Sequence, residues 1–194
     1  MAESYVTHND LVSFAGEKVN IPRDYLTEYR AQVKRLTDKI DALIEEHPDY
    51  NLAKVFESGS VPKGTALKTL NDMDVAIYVK KTEENPDEEK LLIWLMDLLK
   101  EAYKNVLNPD QFSKGTHCVR ISFRGSGLDV DISPVIYDGD LKNKGYLINK
   151  DTGDRVLTSI PLHLAFIRKR KKSQPRHFRQ VIRLLKWWNR EKKK

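Results

Sequence analysis

The chain has 194 residues, one cysteine (Cys118), a formal net charge of +6 and a pI near 9.2. This length suits one domain with its own core, and the lone cysteine excludes an internal disulfide framework and fits a reducing compartment. No apolar run is long enough to span a bilayer, and residues 1–10 lack the blocks of a signal peptide, so we expect a cytoplasmic protein without a membrane partner. The positive charge favours polyanionic ligands.

Three segments have the apolar periodicity of helices, whereas residues 1–20 carry only a few apolar positions, such as Val12, that we expect to pack on the domain. Residues 22–46 form an amphipathic stripe that is short for a coiled coil, so we expect this helix to brace a β-sheet, with a coiled-coil partner as the alternative. Residues 91–107, including Val106, are apolar enough to predict a buried helix. Residues 175–190 form the third helix, with Phe178, Val181, Ile182, Leu185 and Trp188 on its apolar stripe.

Short apolar and β-branched runs predict the strands, which are residues 51–57, 73–79, 119–123, 128–137, 146–148 and 155–157. Residues 124–127 make a hairpin between the third and fourth of these strands. The acidic run at residues 82–89 is interpreted as a solvated loop. Residues 161–167 have no decisive pattern and are followed by a basic run at residues 168–172.

A Gly-Ser turn, Gly59 and Ser60, directly follows the first strand. Glycine lets the backbone bend tightly, so Ser60 can present its N–H and its hydroxyl to a phosphate near the start of a short helix within residues 61–70. Lys63 can contact the same phosphate, although a lone lysine is as often only solvated. The turn therefore predicts an anion cradle.

Two acids, Asp72 and Asp74, stand two residues apart at the start of the next extended run. Both side chains leave the same face of the sheet, because side chains alternate along a strand. A hard divalent cation such as Mg²⁺ relieves the repulsion between two such carboxylates. Either motif alone is common in unrelated loops, but the two in this order indicate nucleoside triphosphate chemistry.

The pattern GSxxKGT, here GSVPKGT at residues 59–65, followed by a strand-borne DxD, resembles the DNA polymerase β-type nucleotidyltransferase superfamily. Within it, the chain is similar to bacterial CBASS oligonucleotide cyclases, relatives of animal cyclic GMP-AMP synthase and 2′-5′-oligoadenylate synthetase. The resemblance implies an α+β fold with a mixed β-sheet core at residues 50–167 and a long N-terminal spine helix. Residues 173–190 would begin a C-terminal helical region, and residues 1–194 would form one catalytic domain.

The resemblance also implies a third acid. Asp131, three residues before Pro134, occupies the matching position, and Asp129 on the same face of its strand is the rival. With Asp72 and Asp74, Asp131 would be catalytic and would bind two Mg²⁺ ions, for which Mn²⁺ can substitute.

The remaining implied site residues bind the nucleotide. Gly59, Ser60 and Lys63 belong to the turn, and Lys186 in RLLKWWN matches the lysine that related enzymes extend to the triphosphate. An ordinary surface lysine is the alternative reading of Lys186. The implied substrates are ribonucleoside triphosphates.

The implied reaction joins these triphosphates into a cyclic or linear oligonucleotide signal and releases pyrophosphate, in anti-phage defence and together with regulatory or effector proteins. Related enzymes continue into a further helical lobe, so we expect either a shortened chain or a minimal protein. One alternative is a template-independent RNA 3′-end transferase of the CCA-adding type, for which the basic C-terminal region suits RNA. Another is a non-catalytic nucleotide-binding module, against which the three acids argue.

Overall fold

The computed structural model describes residues 5–45, 50–82, 90–175 and 177–193. Within these ranges the helices are α1 (His8–Phe14), α2 (Arg23–Glu45), α3 (Ser60–Lys63), α4 (Leu91–Ala102), α5 (Ile160–Ser173) and α6 (Phe178–Glu191). The strands are β1 (Tyr50–Ser58), β2 (Asp72–Lys81), β3 (Phe112–Lys114), β4 (Val119–Phe123), β5 (Leu128–Ile136), β6 (Gly145–Ile148) and β7 (Arg155–Thr158). No helix of this part of the chain is both long and apolar enough to cross a bilayer.

The strands form one mixed sheet in the order β1-β2-β5-β4-β3, with β6 and β7 added beside β5. Strand β2 pairs with β1 in the antiparallel sense and with β5 in the parallel sense. Strand β4 pairs with β5 in the antiparallel sense through the tight hairpin between them. The predicted α+β fold with a mixed sheet and a long N-terminal helix is confirmed.

The main core lies between one face of the sheet and the helices α2 and α4. Strand β2 contributes its odd-numbered residues to this core, and α2 contributes a stripe at three- and four-residue steps. The fully buried side chains of these elements include Met73, Ile77, Leu36, Ile40, Leu95 and Leu99. Since this face is covered, any chemistry of β2 must take place on the opposite face.

The opposite face is covered at one end by a smaller cluster around Tyr78, which is fully buried. The Tyr78 hydroxyl accepts a hydrogen bond from the Ile160 N–H at 3.1 Å and donates one to the Asn143 carbonyl at 3.2 Å. These bonds fix the start of α5 and the loop before β6 to the sheet. The other end of the same face carries Asp72 and Asp74.

Two helix predictions need correction. The N-terminal residues that carried little pattern form α1 and a π-helical turn (Ala15–Val19). Val19 is buried and Phe14 packs beside it, as expected, but Val12 is exposed. Helix α4 ends at Ala102, and Val106, which was expected to be buried, is 68% exposed. Beyond α4, Asn108 and Gln111 form a capping box on the short helical turn that leads into β3. His47, Pro48 and nearly all of the acidic run lie outside the described residues.

Helix α5 unites residues 161–167 with the basic run that follows them. Ser159 caps it by accepting a hydrogen bond from the Leu162 N–H at 3.4 Å, and Pro161 occupies the first turn. The basic run thus forms the last turns, where positive charge suits the helix dipole.

Helix α6 confirms the last predicted helix, with a later start. Its packing face differs from the predicted stripe, because Leu184 and Trp187 pack on the π-helical turn near the N-terminus. The large apolar side chains that α6 leaves exposed are Val181, Leu185 and Trp188. Contact with the N-terminal segment therefore sets the rotation of α6 and turns Lys186 towards the sheet.

Candidate active site

The pairing of β2 with β5 brings four carboxylates to one face of the sheet. Asp72 lies opposite Asp129 and Asp74 lies opposite Asp131 in the parallel register. Paired residues of neighbouring strands share a face, as do residues two apart on one strand. The acids of β2 and both candidates for the third acid therefore lie together, away from the core that α2 and α4 cover.

The Asp74 carboxylate shows how closely these charges interact. Burial is the main cause that raises its pKa, followed by repulsion from Asp72 and Asp131. The charges of Lys63 and Lys186 oppose this shift. Asp131 is thus within electrostatic reach of Asp74, as are both predicted lysines.

Arg120 of β4 holds the third acid. Its Nε donates to Asp131 Oδ1 and its Nη2 to Asp131 Oδ2, both at 2.7 Å, while its Nη1 lies 3.8 Å from Asp129 Oδ2. This two-pronged contact with Asp131 raises the pKa of Arg120 above its ordinary value, despite some burial. The Arg120 fork therefore distinguishes Asp131, which it binds directly, from Asp129, which it only approaches.

The donors of this site suit a hard cation, but they are not gathered around one point. Among the described residues, no three His, Cys, Asp or Glu side chains are arranged to hold a metal ion. One reason for this arrangement is that the Arg120 guanidinium, called the Arg120 fork, already binds both oxygens of Asp131. Carboxylate oxygens remain the ligands that Mg²⁺ prefers, and the mutual repulsion at Asp74 is what a cation would relieve.

The Gly59 turn lies directly against Asp74. Gly59 has φ 69° and ψ −145°, a conformation that only glycine adopts readily. A Cβ built on Gly59 would lie 1.6 Å from Asp74 Oδ2. Ser60 opens α3, which is a single turn, so nearby N–H groups and the Ser60 hydroxyl would contribute more to phosphate binding than a helix dipole. The glycine is thus required by the neighbouring acid as well as by the turn.

Helix α6 closes the other side of a cleft of about 390 Å³, whose lining includes Ser60, Asp72, Asp74, Lys186 and Arg190. The Lys186 ammonium donates to the Thr65 carbonyl at 3.1 Å. Desolvation lowers the Lys186 pKa, and Asp72 and Asp74 oppose this shift. The Lys186 side chain as a whole is exposed, so the part that is shielded from water is its ammonium group, at the end that lies in the cleft. Lys186 is therefore oriented towards the acids.

Most of the predicted site residues are therefore neighbours in the structure. The turn residues Gly59 and Ser60 lie beside Asp72 and Asp74, and the charges of Lys63 and Lys186 influence these acids. Asp131 lies on the adjoining strand, where Arg120 binds it. Arg120 and Arg190 had not been expected. Arg190 contacts the Thr69 hydroxyl at the edge of the cleft, a pairing of residues far apart in the chain.

The nucleotidyltransferase domain model matches residues 36–181, which is more than half of the chain. The chain belongs to the nucleotidyltransferase domain family. The match includes the Gly59 turn and all the candidate acids, but it ends before Lys186. The family thus agrees with the fold.

Several relatives are more specifically similar. The chain is 46% identical over 190 residues to the cyclic AMP-AMP-AMP synthase of Escherichia coli strain MS 115-1, covering 98% of this chain and 59% of the relative. The solved structure of E. coli MS115-1 CdnC with ATP superimposes with a TM-score of 0.82 at 46% identity, covering 98% of this chain and 59% of that one. The CdnC:HORMA-deltaN complex gives 0.81 at 45% identity, covering 99% and 59%. The chain thus spans 59% of the length of these relatives.

Proposed function

We propose that this chain is the catalytic domain of an oligonucleotide cyclase, which joins ribonucleoside triphosphates, releases pyrophosphate and produces a signal in anti-phage defence. The observation that carries this proposal is the position of Asp74, which the register of β2 and β5 sets opposite Asp131 and which lies directly against Gly59. The similarity to a cyclic AMP-AMP-AMP synthase supports the product class, and the ATP complex of CdnC supports ATP as a substrate.

Asp72, Asp74 and Asp131 would hold the divalent cations of this reaction, Mg²⁺ or in its place Mn²⁺. When bound, two such ions would lower the pKa of the acceptor ribose hydroxyl and offset the charge that develops on the attacking and leaving oxygens. The donor set fits them, because it consists of carboxylate oxygens on one face of the sheet, and a cation would offset the burial and the repulsion that raise the pKa of Asp74.

The other residues of the cleft would bind and orient the donor triphosphate. The Ser60 N–H and hydroxyl would donate to its phosphate oxygens, for which Gly59 gives the necessary close approach. Lys63 and Lys186 would add positive charge near these phosphates, since the charges of both influence Asp74. The chain itself thus mainly positions the phosphates and neutralises their charge.

A regulatory protein partner is part of the proposal. The support for it is the solved complex of CdnC with HORMA-deltaN, a complex formed by a protein 45% identical to this chain. Pull-down of a HORMA-type protein by the purified chain would test this part separately from catalysis.

The test of the main proposal is the identification of products. We expect the full-length protein, given Mg²⁺ and all four ribonucleoside triphosphates, to release pyrophosphate and to form a short oligonucleotide that chromatography resolves. Asp74→Asn should abolish both, whereas Asp97→Asn on the exposed side of α4 should retain them. Product only after addition of RNA would instead support the RNA 3′-end transferase, and full activity of Asp74→Asn would refute the site.

A further inference from the structure

We propose that Arg120 is a positioning residue of this site, one that fixes the Asp131 carboxylate and competes with the divalent cation for it. The inference rests on the proposed function, because it concerns how the third acid becomes available to a metal ion. It adds a role for a residue of β4, a strand that carries none of the acids.

The position of Arg120 in its strand sets it apart from the residues on either side. Val119 and Ile121 are fully buried in the main core, whereas Arg120 lies on the carboxylate face, opposite Asp131 in the register of β4 and β5. Its side chain is 42% exposed and that of Asp131 is 17% exposed, so the pair lies on the carboxylate face and outside the main core. The arginine is therefore placed to act on the third acid.

The geometry of the fork limits what Asp131 can offer. Nε and Nη2 each bind one carboxylate oxygen at 2.7 Å, so the inward side of both oxygens is occupied. A carboxylate has about four lone-pair sites, of which the fork uses two. While the fork is in place, the two remaining lone pairs, one on each oxygen, point away from each other, so one cation binds Asp131 through a single oxygen.

The charge of Arg120 acts in the same direction. A unit positive charge about 6 Å from a divalent cation opposes its binding by roughly a factor of ten even at the dielectric constant of water. The nucleotide-free protein should therefore bind the cation weakly. The cation would be held mainly together with its triphosphate, whose oxygens supply ligands that Asp131 does not give alone.

The experiment compares variants of residue 120 by Mn²⁺ binding without nucleotide, followed by the electron paramagnetic resonance signal of free Mn²⁺. We expect Arg120→Met to tighten binding about tenfold, since it removes both charge and fork. Arg120→Lys keeps the charge but loses the fork, so it should tighten Mn²⁺ binding less than Arg120→Met does. Arg124→Met, at an exposed arginine of the hairpin that pairs with Asp110, should bind Mn²⁺ like the wild type. In turnover, Arg120→Lys should lower kcat about tenfold or more with an unchanged KM for ATP, because Asp131 loses its fixed orientation.

If Arg120→Met binds Mn²⁺ no more tightly than the wild type, Arg120 does not compete with the cation for Asp131. If Arg120→Lys has a wild-type kcat, Arg120 does not position Asp131. Circular dichroism and thermal unfolding establish that the variants are folded, and Arg120→Gln replaces the methionine variant if that one is not. Asp74→Asn separates the two proposals. If it does not weaken Mn²⁺ binding, the metal site itself is misplaced. If it does and Arg120→Met has no effect, only the inference about Arg120 fails.

Discussion

The substitution Gly59→Ala tests the contact on which the candidate site is built. Its Cβ would lie 1.6 Å from Asp74 Oδ2 and 2.9 Å from Asp74 Cβ. Asp74 Oδ2 must move until it is 3.4 Å from the new Cβ, the distance at which ordinary contact begins, which is a displacement of about 1.8 Å. Misplacing a catalytic group by about 1 Å can cost on the order of 100-fold in rate, so we expect at least that loss of turnover.

The same substitution should also destabilise the fold. A non-glycine residue held at the φ and ψ of Gly59 costs about 1–3 kcal/mol. For a protein of this size, each kcal/mol corresponds to about 2–4 °C in Tm. A loss of 2 kcal/mol would thus lower the Tm by about 4–8 °C.

Pyrophosphate release and thermal unfolding measure the two effects together. Gly125→Ala is the matched control, because a Cβ there meets no atom within 4 Å and the backbone has no left-handed strain. It should retain wild-type turnover and Tm. The close approach of Gly59 to Asp74 would be refuted if Gly59→Ala behaved like Gly125→Ala in both measurements.

Three further predictions concern individual side chains. Burial raises the pKa of Asp74 above 3.8 in the folded protein, so the carboxyl group favours folding only while it is protonated, and this contribution is lost as the pH rises through the folded pKa. Asp74→Asn should therefore raise the Tm at neutral pH, by a gain that shrinks towards pH 3.8 and disappears below it. A gain that does not change with pH would show that the raised pKa of Asp74 is not its cause. Tyr78→Phe leaves the Ile160 N–H without its acceptor and should cost about 1–3 kcal/mol in urea unfolding, whereas an unchanged free energy would mean that another acceptor replaces the hydroxyl. Lys186→Met should weaken ATP binding, measured by calorimetry, by about tenfold, because it removes a charge-assisted hydrogen bond of about 1.5 kcal/mol. Lys172→Met on α5 should leave ATP binding unchanged. Equal affinities in these two variants would remove Lys186 from the nucleotide site.

The parts of the fold predicted best are those whose pattern is local. The alternation of β2 and the hairpin before β5 are readable from short stretches of sequence, and both strands were placed within a few residues of their observed ends. The common face of Asp72 and Asp74 follows from the same alternation. The parallel pairing of β2 with β5, by contrast, was not predicted, since no local pattern specifies which distant strands become neighbours and the resemblance implied only a mixed sheet.

Arg120 shows a signal that was present in the sequence but was not used. The tight hairpin fixes the register of its two strands, so counting outward from Phe123 and Leu128 places Arg120 opposite Asp131. A single arginine among buried apolar residues of a strand therefore marks the carboxylate face.

The features that sequence could not predict depend on packing between distant segments. Helix α6 rotates to place Leu184 and Trp187 on the N-terminal π-helical turn, and this rotation carries Lys186 to Thr65. The buried helix over residues 91–107 ends early for a related reason, because the chain has to enter β3. In both places tertiary contacts outweigh the local apolar pattern.

The most direct test of the proposed site is anomalous diffraction from crystals of the protein grown with Mn²⁺ and a non-hydrolysable ATP analogue. We expect manganese peaks within coordination distance of Asp72, Asp74 and Asp131, with the triphosphate on the Ser60 turn. Peaks remote from these acids, or ligated by Asp129 in place of Asp131, would contradict the site proposed for this nucleotidyltransferase.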